Sequence, residues 1–315
     1  DRFEQFIDKE NIYIVTSEQY RDICIKQLPH LNPGNILCEP SRKNTAACIA
    51  YISYKLRQLN PEANLICAPA DHLILDTEKF IKVALDALHF TSQIKALVTL
   101  GIKPSNPNTG YGYIQFEPMA VAENVFRVKT FTEKPDLALA KTFVASGDFL
   151  WNAGIFVWQV KNIVQAFEQY LPEMHEVFDA EKAFYNSGEE QEAINRIYPQ
   201  CVNISIDYGI MEKADNVYVF PSSFGWSDLG TWASAYDTFD KDYLCNAVGG
   251  NNVIVIDATN NMVHADNKKL LLLQGLDDFI VVDTKDVLLI CKKNKEQEIK
   301  EYVAEVKRNK GDKYL

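Results

Sequence analysis

Residues 64–75 read NLICAPADHLIL. The run is apolar enough for a buried strand, yet Asp71 and His72 stand side by side within it. An unpaired buried charge costs several kcal/mol, so Asp71 must either leave the apolar run or meet a partner. Working outward, the stretch is one of a series. NIYIVT (11–16) reads as a strand, 18–28 as a helix, and ILC (36–38) as a short strand. Ala46, Ile49, Ala50, Ile52 and Leu56 then recur at helical spacing across Asn44–Leu59. After the strand at 64–69 a helix starts near Thr77, and KALVTLG (95–101) is a further strand. Strands separated by single helices predict parallel βαβ units in a doubly wound sheet covered on both faces. Such sheets bind ligands beyond the carboxyl ends of their strands, which is where Asp71 falls.

From 110 to 160 the pattern is strand-rich, interrupted by one helix at Leu137–Ser146. Three to four helical stretches fill about 160–215, followed by the strand NVYVF (216–220). After Asp240 the character changes: NNVIVID, KKLLLLQGL, DFIVVD and VLLICKK are short strands with polar turns, closed by an amphipathic helix from 294 to about 308. This places a boundary near 238–248, with a first domain at 1–240 and a β-rich module at 241–315. The strand segments of the module resemble one another too weakly to be read as a repeat. The chain opens on a predicted helix, DRFEQFID, and contains no G-x-G-x-x-G or Walker-type loop.

With 315 residues, 47% hydrophobic and 24% charged, the composition is that of a globular protein of one or two domains. No apolar run is long enough to cross a membrane, and no signal peptide precedes the first predicted helix. The net charge of −11 argues against a nucleic-acid polymer as ligand, although a single nucleotide needs only a local basic pocket. The seven cysteines are scattered and never spaced C-x-x-C, which fits a reducing cytoplasm and argues against disulfides or a zinc site.

Two aspartates stand out as candidate ligands. Asp71 follows CAPA at a strand end, and Asp228 lies in FGWSDLGTW, a glycine- and aromatic-rich turn. Two such carboxylates suit Mg²⁺, which takes one or two carboxylates together with phosphate oxygens and water. The competing readings are an N-cap for Asp71 and a turn residue for Asp228, with His72 a structural histidine. In EPSRKNTAA (39–47), Arg42 and Lys43 flank a helix start that Asn44 or Thr45 can cap, a setting that favours an anion. Glu39 beside them can accept two parallel hydrogen bonds, and guanine offers adjacent N1–H and N2–H donors. A capped helix with solvated charges is the plainer alternative.

NTGYGYI (108–114) is a Gly-rich turn into a strand, whose glycines suit a close approach of backbone amides to a ligand, although ordinary turn chemistry explains them equally. FTEKPD (131–136) sets Glu133 and Lys134 at a strand end, the one suited to vicinal hydroxyls and the other to phosphate. A surface ion pair would explain them equally. FLWNAGIFVW (149–158) embeds Asn152, whose amide must find partners in backbone or in a ligand hydroxyl. In SIDYGIMEKAD (205–215), Asp207 and Glu212 read as mostly structural, and Lys213 as a weak phosphate-binding candidate.

Each motif alone is weak, but their order is specific. EPSRKNTA, APADHLI, TLGIKPSNPNTGYGYI, VKTFTEKPD, FLWNAGIFVW, SIDYGIMEKADNVYV and FGWSDLGTW together resemble the mannose-1-phosphate guanylyltransferases, over about 12–236 and more loosely through the tail. The resemblance implies an α/β fold: a Rossmann-like GT-A nucleotidyltransferase core with a mixed, mostly parallel sheet, plus the small C-terminal β-rich module. It implies transfer of GMP from GTP to mannose 1-phosphate with Mg²⁺, giving GDP-mannose and pyrophosphate. It assigns the metal to Asp71 and Asp228, the nucleotide to Glu39, Arg42, Asn44 and Thr45, and the sugar and its phosphate to Gly112, Glu133, Lys134 and Asn152. Asp71, Lys134 and Asp228 carry the catalysis in this reading. The chain departs from the family in lacking the G-G-x-G-x-R-x-x-P loop, and it lacks the isomerase half of bifunctional relatives, so no isomerase activity is expected.

The same chemistry on another hexose 1-phosphate or nucleotide is the nearest alternative. A non-catalytic sugar-nucleotide-sensing subunit is the alternative of another class. A GT-A glycosyltransferase would be expected to carry D-x-D where PADH stands. The apolar strands of the module suggest a lid or a homodimer contact.

Overall fold

The run NLICAPADHLIL breaks in two: its first four residues form one strand, Leu73–Ile74 form a second, and the chain bends at Ala70 and Asp71 between them. The computed structural model describes residues 2–266 and 268–314. Its chain divides into two units, the first running to Ala70 and resuming over Ile74–Trp226, the second made of Asp71–Leu73 and the chain from Ser227 onward.

The first unit opens with β1 (Ile14–Ser17), α1 (Arg21–Gln27) and β2 (Ile36–Glu39), a βαβ unit whose strands pair parallel with Ile14 opposite Ile36. There follow α2 (Asn44–Leu59), β3 (Asn64–Cys67), β4 (Leu73–Ile74), α3 (Thr77–Gln93), β5 (Leu97–Ile102), β6 (Gly112–Ala122) and β7 (Val125–Glu133). The unit is completed by α4 (Leu137–Ser146), β8 (Phe149–Gln159), α5 (Val160–Tyr170), α6 (Pro172–Ala180), α7 (Glu190–Ile197) and β9 (Val217–Ser222). A six-stranded sheet has the order β3-β8-β5-β9-β7-β6. Four of its strands, β3, β5, β6 and β9, run one way, and β7 and β8 run the other. The long β8 inserts antiparallel between β3 and β5, a long-range pairing that local periodicity does not encode.

Side chains alternate across this sheet as the period of two demands. Leu97, Phe156 and Trp158 face a core with Ala50 and Tyr54 of α2, Phe167 of α5 and Phe178 of α6. Val98, Leu100, Ile155 and Val157 face the other way, onto Phe80, Ala84 and Phe90 of α3. Each large apolar side chain fully buried this way contributes about 1.5–3 kcal/mol.

Helix ends follow sequence chemistry in two cases and not in a third. The Asp76 carboxylate accepts the Lys79 N–H (3.0 Å) at the start of α3, and Asp136 accepts the Leu139 N–H (2.8 Å) at the start of α4. Gly147, at φ 77°, ends α4 in the left-handed conformation. The cap expected from Asn44 or Thr45 is not formed. Asn44 itself opens α2 at φ 64°, and the Thr45 hydroxyl accepts the Ile206 N–H (2.9 Å). The Ala46 N–H goes to the Ile204 carbonyl (3.2 Å), so tertiary contacts satisfy part of the first turn of α2.

The short strand β10 (Trp226–Ser227) pairs with β4. The second unit continues through α8 (Trp232–Thr238), β11 (Ala247–Gly249), β12 (Val253–Ile256), β13 (Met262–Ala265), β14 (Leu271–Gln274), β15 (Phe279–Asp283) and β16 (Leu288–Lys292). Ala247 of β11 stacks on Met262 of β13, which stacks on Ile280 of β15, all parallel. Alongside, β12 and β14 form a second parallel ladder, and β16 closes the first one antiparallel. This is a parallel β-helix. Its repeat is faint in sequence because its coils differ in length and are matched by structure rather than by motif: Asn261 Nδ2 donates to buried Asn246 Oδ1 (2.9 Å) and to the Leu276 carbonyl (3.0 Å). The terminal helix α9 (Ile299–Lys310) starts later than predicted, because Lys293–Glu298 winds more tightly as a 3₁₀ turn. Among the described residues no helix is long and apolar enough to cross a membrane, and all seven cysteines are free.

Candidate functional site

The first unit gathers four of the predicted residues around the open end of β6 and β7. Gly112 of β6 pairs with Glu133 of β7, and a Cβ at Gly112 would stand 2.3 Å from Glu133 Oε2 and 3.3 Å from Asn152 Cβ. Position 112 is glycine because a carboxylate and an amide crowd it. Lys134 follows at φ 48°, a strained conformation for a side-chain-bearing residue, held by its N–H to the Tyr111 carbonyl (3.2 Å). Its ammonium reaches Glu133 Oε1 at 2.8 Å, and that hydrogen bond, above the opposing effect of burial, raises its pKa. The Glu133 side chain is 12% exposed and that of Lys134 is 60% exposed, so the cation remains open to an anion while the carboxylate is enclosed.

Asn152 lies on β8 beside an irregularity in the β5 pairing at Thr99–Gly101. Its Oδ1 accepts the Thr99 hydroxyl (2.8 Å) and the Gly154 N–H (3.2 Å), while its Nδ2 donates to Asp207 Oδ1 (2.8 Å). Asp207 opens a π-helical turn, Asp207–Met211. Burial, then the neighbouring negative charge of Glu133, pushes its pKa up to about 6. Glu212 is likewise raised by burial and then by Glu133. In the sequence Asp207 reads as mostly structural. The signal that marks it out is three-dimensional: a half-buried carboxyl under the charge of another carboxyl and bonded to a fixed amide.

A second predicted group lies at the end of β2. Glu39 accepts a short hydrogen bond from the buried Tyr198 hydroxyl, and burial raises its pKa. Arg42 is exposed, Lys43 donates to the Pro199 carbonyl (2.9 Å), and the Asn44 side chain accepts the Thr45 N–H (2.9 Å). Tyr198, which orients Glu39 from 159 positions away, carries no local motif.

Asp71 and Asp228 both belong to the second unit. The Leu75 N–H bonds the Gly225 carbonyl (3.1 Å) and the Asp76 N–H the Phe224 carbonyl (3.0 Å), so one segment ascends as the other descends. Carried through β4 and β10, this pairing brings Asp71 and Asp228 to the same end of the two strands. Asp71 is exposed, and the capping alternative for it is excluded because Asp76 caps α3. Asp228 Oδ1 accepts the Gly230 N–H (3.0 Å), so it does shape its turn. Glu296, which accepts the Ala233 N–H at the start of α8 (3.1 Å), feels the charge of Asp228 after the larger effect of its own burial. No cluster of three or more His, Cys, Asp or Glu side chains is placed to hold a metal among the described residues. The donor chemistry fits a hard divalent cation that keeps phosphate and water ligands rather than a closed protein cage.

A cavity of about 560 Å³ opens elsewhere in the first unit, lined by Tyr13, Arg21, Tyr51, Lys55, Glu190 and Gln191 among others. It holds none of the predicted site residues. The enclosed Lys55–Glu190 ion pair (2.6 Å) forms part of its wall, and there the two charges neutralise one another.

Comparison with known proteins shows the family of the chain. The family model described as nucleotidyl transferase matches residues 6–243, and that described as MannoseP isomerase/GMP-like beta-helix domain matches residues 251–306. Mannose-1-phosphate guanylyltransferase of Escherichia coli is 32% identical over 300 residues, covering 92% of this chain and 64% of that protein. Alginate biosynthesis protein AlgA of Pseudomonas syringae pv. tomato is 35% identical over 296 residues, covering 92% of this chain and 60% of that protein. The chain thus spans less than two thirds of the length of these relatives. Among solved structures, mannose-1-phosphate geranyltransferase from Thermus thermophilus superposes with a TM-score of 0.84 at 25% identity, covering 97% of this chain and 87% of that one.

Proposed function

The chain belongs to the nucleotidyl transferase family, and from that premise we propose that it transfers GMP from GTP to mannose 1-phosphate, giving GDP-mannose and pyrophosphate. The observation that carries the reading is the assembly of Gly112, Glu133, Lys134 and Asn152 in one place in the first unit. Glu133 and Asn152 suit the hydroxyls of a hexose, and the exposed ammonium of Lys134 suits its phosphate. Glu39, oriented by Tyr198, suits the two donors of guanine, with Arg42, Asn44 and Thr45 beside it for the nucleotide.

In this reading a phosphate oxygen of mannose 1-phosphate forms a bond to the α-phosphorus of GTP. The α–β anhydride bond breaks in line, and pyrophosphate leaves with its electron pair. The protein contributes positioning and charge neutralisation rather than a nucleophile. Asp71 and Asp228 would hold Mg²⁺, which when bound supplies positive charge to phosphate oxygens. The exposed apolar residues Ile254, Ile256 and Leu272 on the β12–β14 ladder support self-association as a homodimer. The free thiols support a cytoplasmic setting.

Incubation with GTP, Mg²⁺ and mannose 1-phosphate should release pyrophosphate only when all three are present. Binding of GDP-mannose without pyrophosphate release would instead establish a sensing subunit and contradict the proposed transfer.

A further inference from the structure

The Asp207 carboxyl meets three groups that matter to a sugar phosphate. Asn152 Nδ2 donates to it at 2.8 Å, and the Gly154 N–H at Asn152 Oδ1 fixes which end of that amide is the oxygen. With Thr99 also on Oδ1 (2.8 Å), the amide has one orientation, and Asp207 is the acceptor that holds its nitrogen end. Glu133 and Lys134, at the end of β7, are the charges that bear most on Asp207. The same turn carries Tyr208, and Glu212 follows it, both under the influence of Glu133. Helix α5 packs against the turn, and its Lys161 and Glu168 are not among the groups that act most on Asp207. Two carboxyls, Glu133 and Asp207, therefore share the influence of Lys134, and Asp207 does so half-buried.

We propose that Asp207 is a positioning residue of the sugar-phosphate site: it fixes the Asn152 amide, and when ionised it adds a second enclosed carboxylate beside Glu133 that weakens the hold on an anionic ligand. The inference rests on the proposed substrate. Protonated, Asp207 leaves Lys134 with one carboxylate to satisfy and the rest of its field for the phosphate. Ionised, it repels the phosphate and competes for that field. Burial and Glu133 move the change of state to about pH 6, inside the range where an enzyme operates.

The test is the affinity of the full chain for mannose 1-phosphate, by titration calorimetry at about pH 5 and about pH 7.5, for wild type and Asp207→Asn. The second ionisation of a phosphate monoester lies near pH 6 as well, so the readout is the ratio between the two proteins, in which that change cancels. At the lower pH the affinities should agree within about twofold, and at the higher pH the wild type should be weaker by about tenfold. An equal ratio at the two pH values, or a variant that only melts at lower temperature, overturns the role of Asp207 while leaving the substrate standing. No binding by wild type at either pH contradicts the substrate itself, and the proposal with it. Asp207→Ser serves if the asparagine variant folds poorly.

Discussion

Asp207 also links the site to stability. Its pKa rises from an ordinary 3.8 to about 6 because the folded state penalises its charge. The penalty is absent below about pH 4, grows as pH rises through the interval and is complete above about pH 6, where it amounts to about 3 kcal/mol. Asp207→Asn should therefore stabilise the protein by about 1–3 kcal/mol near pH 8 and by little near pH 4, as read by urea denaturation. A gain independent of pH would contradict the assignment. Gly112→Ala addresses the same cluster sterically. The severe clash is with the far end of a flexible side chain, and Asn152 Cβ at 3.3 Å need give only slightly, so the fold should persist while the Glu133 carboxylate is displaced. KM for the sugar phosphate should rise about tenfold, with the melting temperature shifted by only a few degrees; an unchanged KM would remove Glu133 from the site. At this scale much is legible in sequence. Glu133, Lys134 and Asn152 stand out as polar groups at strand ends or in apolar runs. Asp207 and Tyr198 do not, since what distinguishes them is the distant partner each meets.

Among elements, α2 and α4 are readable to their ends because helical spacing and terminal residues agree, with Asn60–Pro61 after one and Gly147 after the other. The capping of α2 is not readable, since its first turn bonds to Ile204 and Ile206. Neither is the insertion of β8, nor the coiling of β11 to β15, because strand register at long range leaves no local periodicity. Two helices are tied by an ion pair that no motif announces. Lys55 of α2 meets Glu190 of α7 at 2.6 Å with both side chains nearly buried, and the Tyr51 hydroxyl donates to the same carboxylate (2.8 Å). Glu190→Ala leaves the Lys55 charge without its partner and should cost about 3–5 kcal/mol in urea denaturation, whereas replacing both by apolar residues of similar size should cost far less. Equal losses in the two variants would show that packing rather than charge holds the helices.

Over the whole molecule, the order of seven weak motifs identifies the family that no single motif could, and the proposed site residues fall in both units. The first carries the polar cluster assigned to the sugar phosphate and the Glu39–Tyr198 pair assigned to guanine; the second carries Asp71, Asp228 and the β-helix. Asp228→Ala should lower turnover by several orders of magnitude while the chain still melts cooperatively, since the Gly230 N–H that its carboxylate accepts lies in a local turn. Near-normal turnover would exclude it as a cation ligand. The central claim, attack of the sugar phosphate on the α-phosphorus of GTP, is tested most directly with mannose 1-phosphate labelled with ¹⁸O in its phosphate. Mass spectrometry of the products should find the label wholly in GDP-mannose and none in pyrophosphate; label in the pyrophosphate, or no GDP-mannose at all, would contradict it.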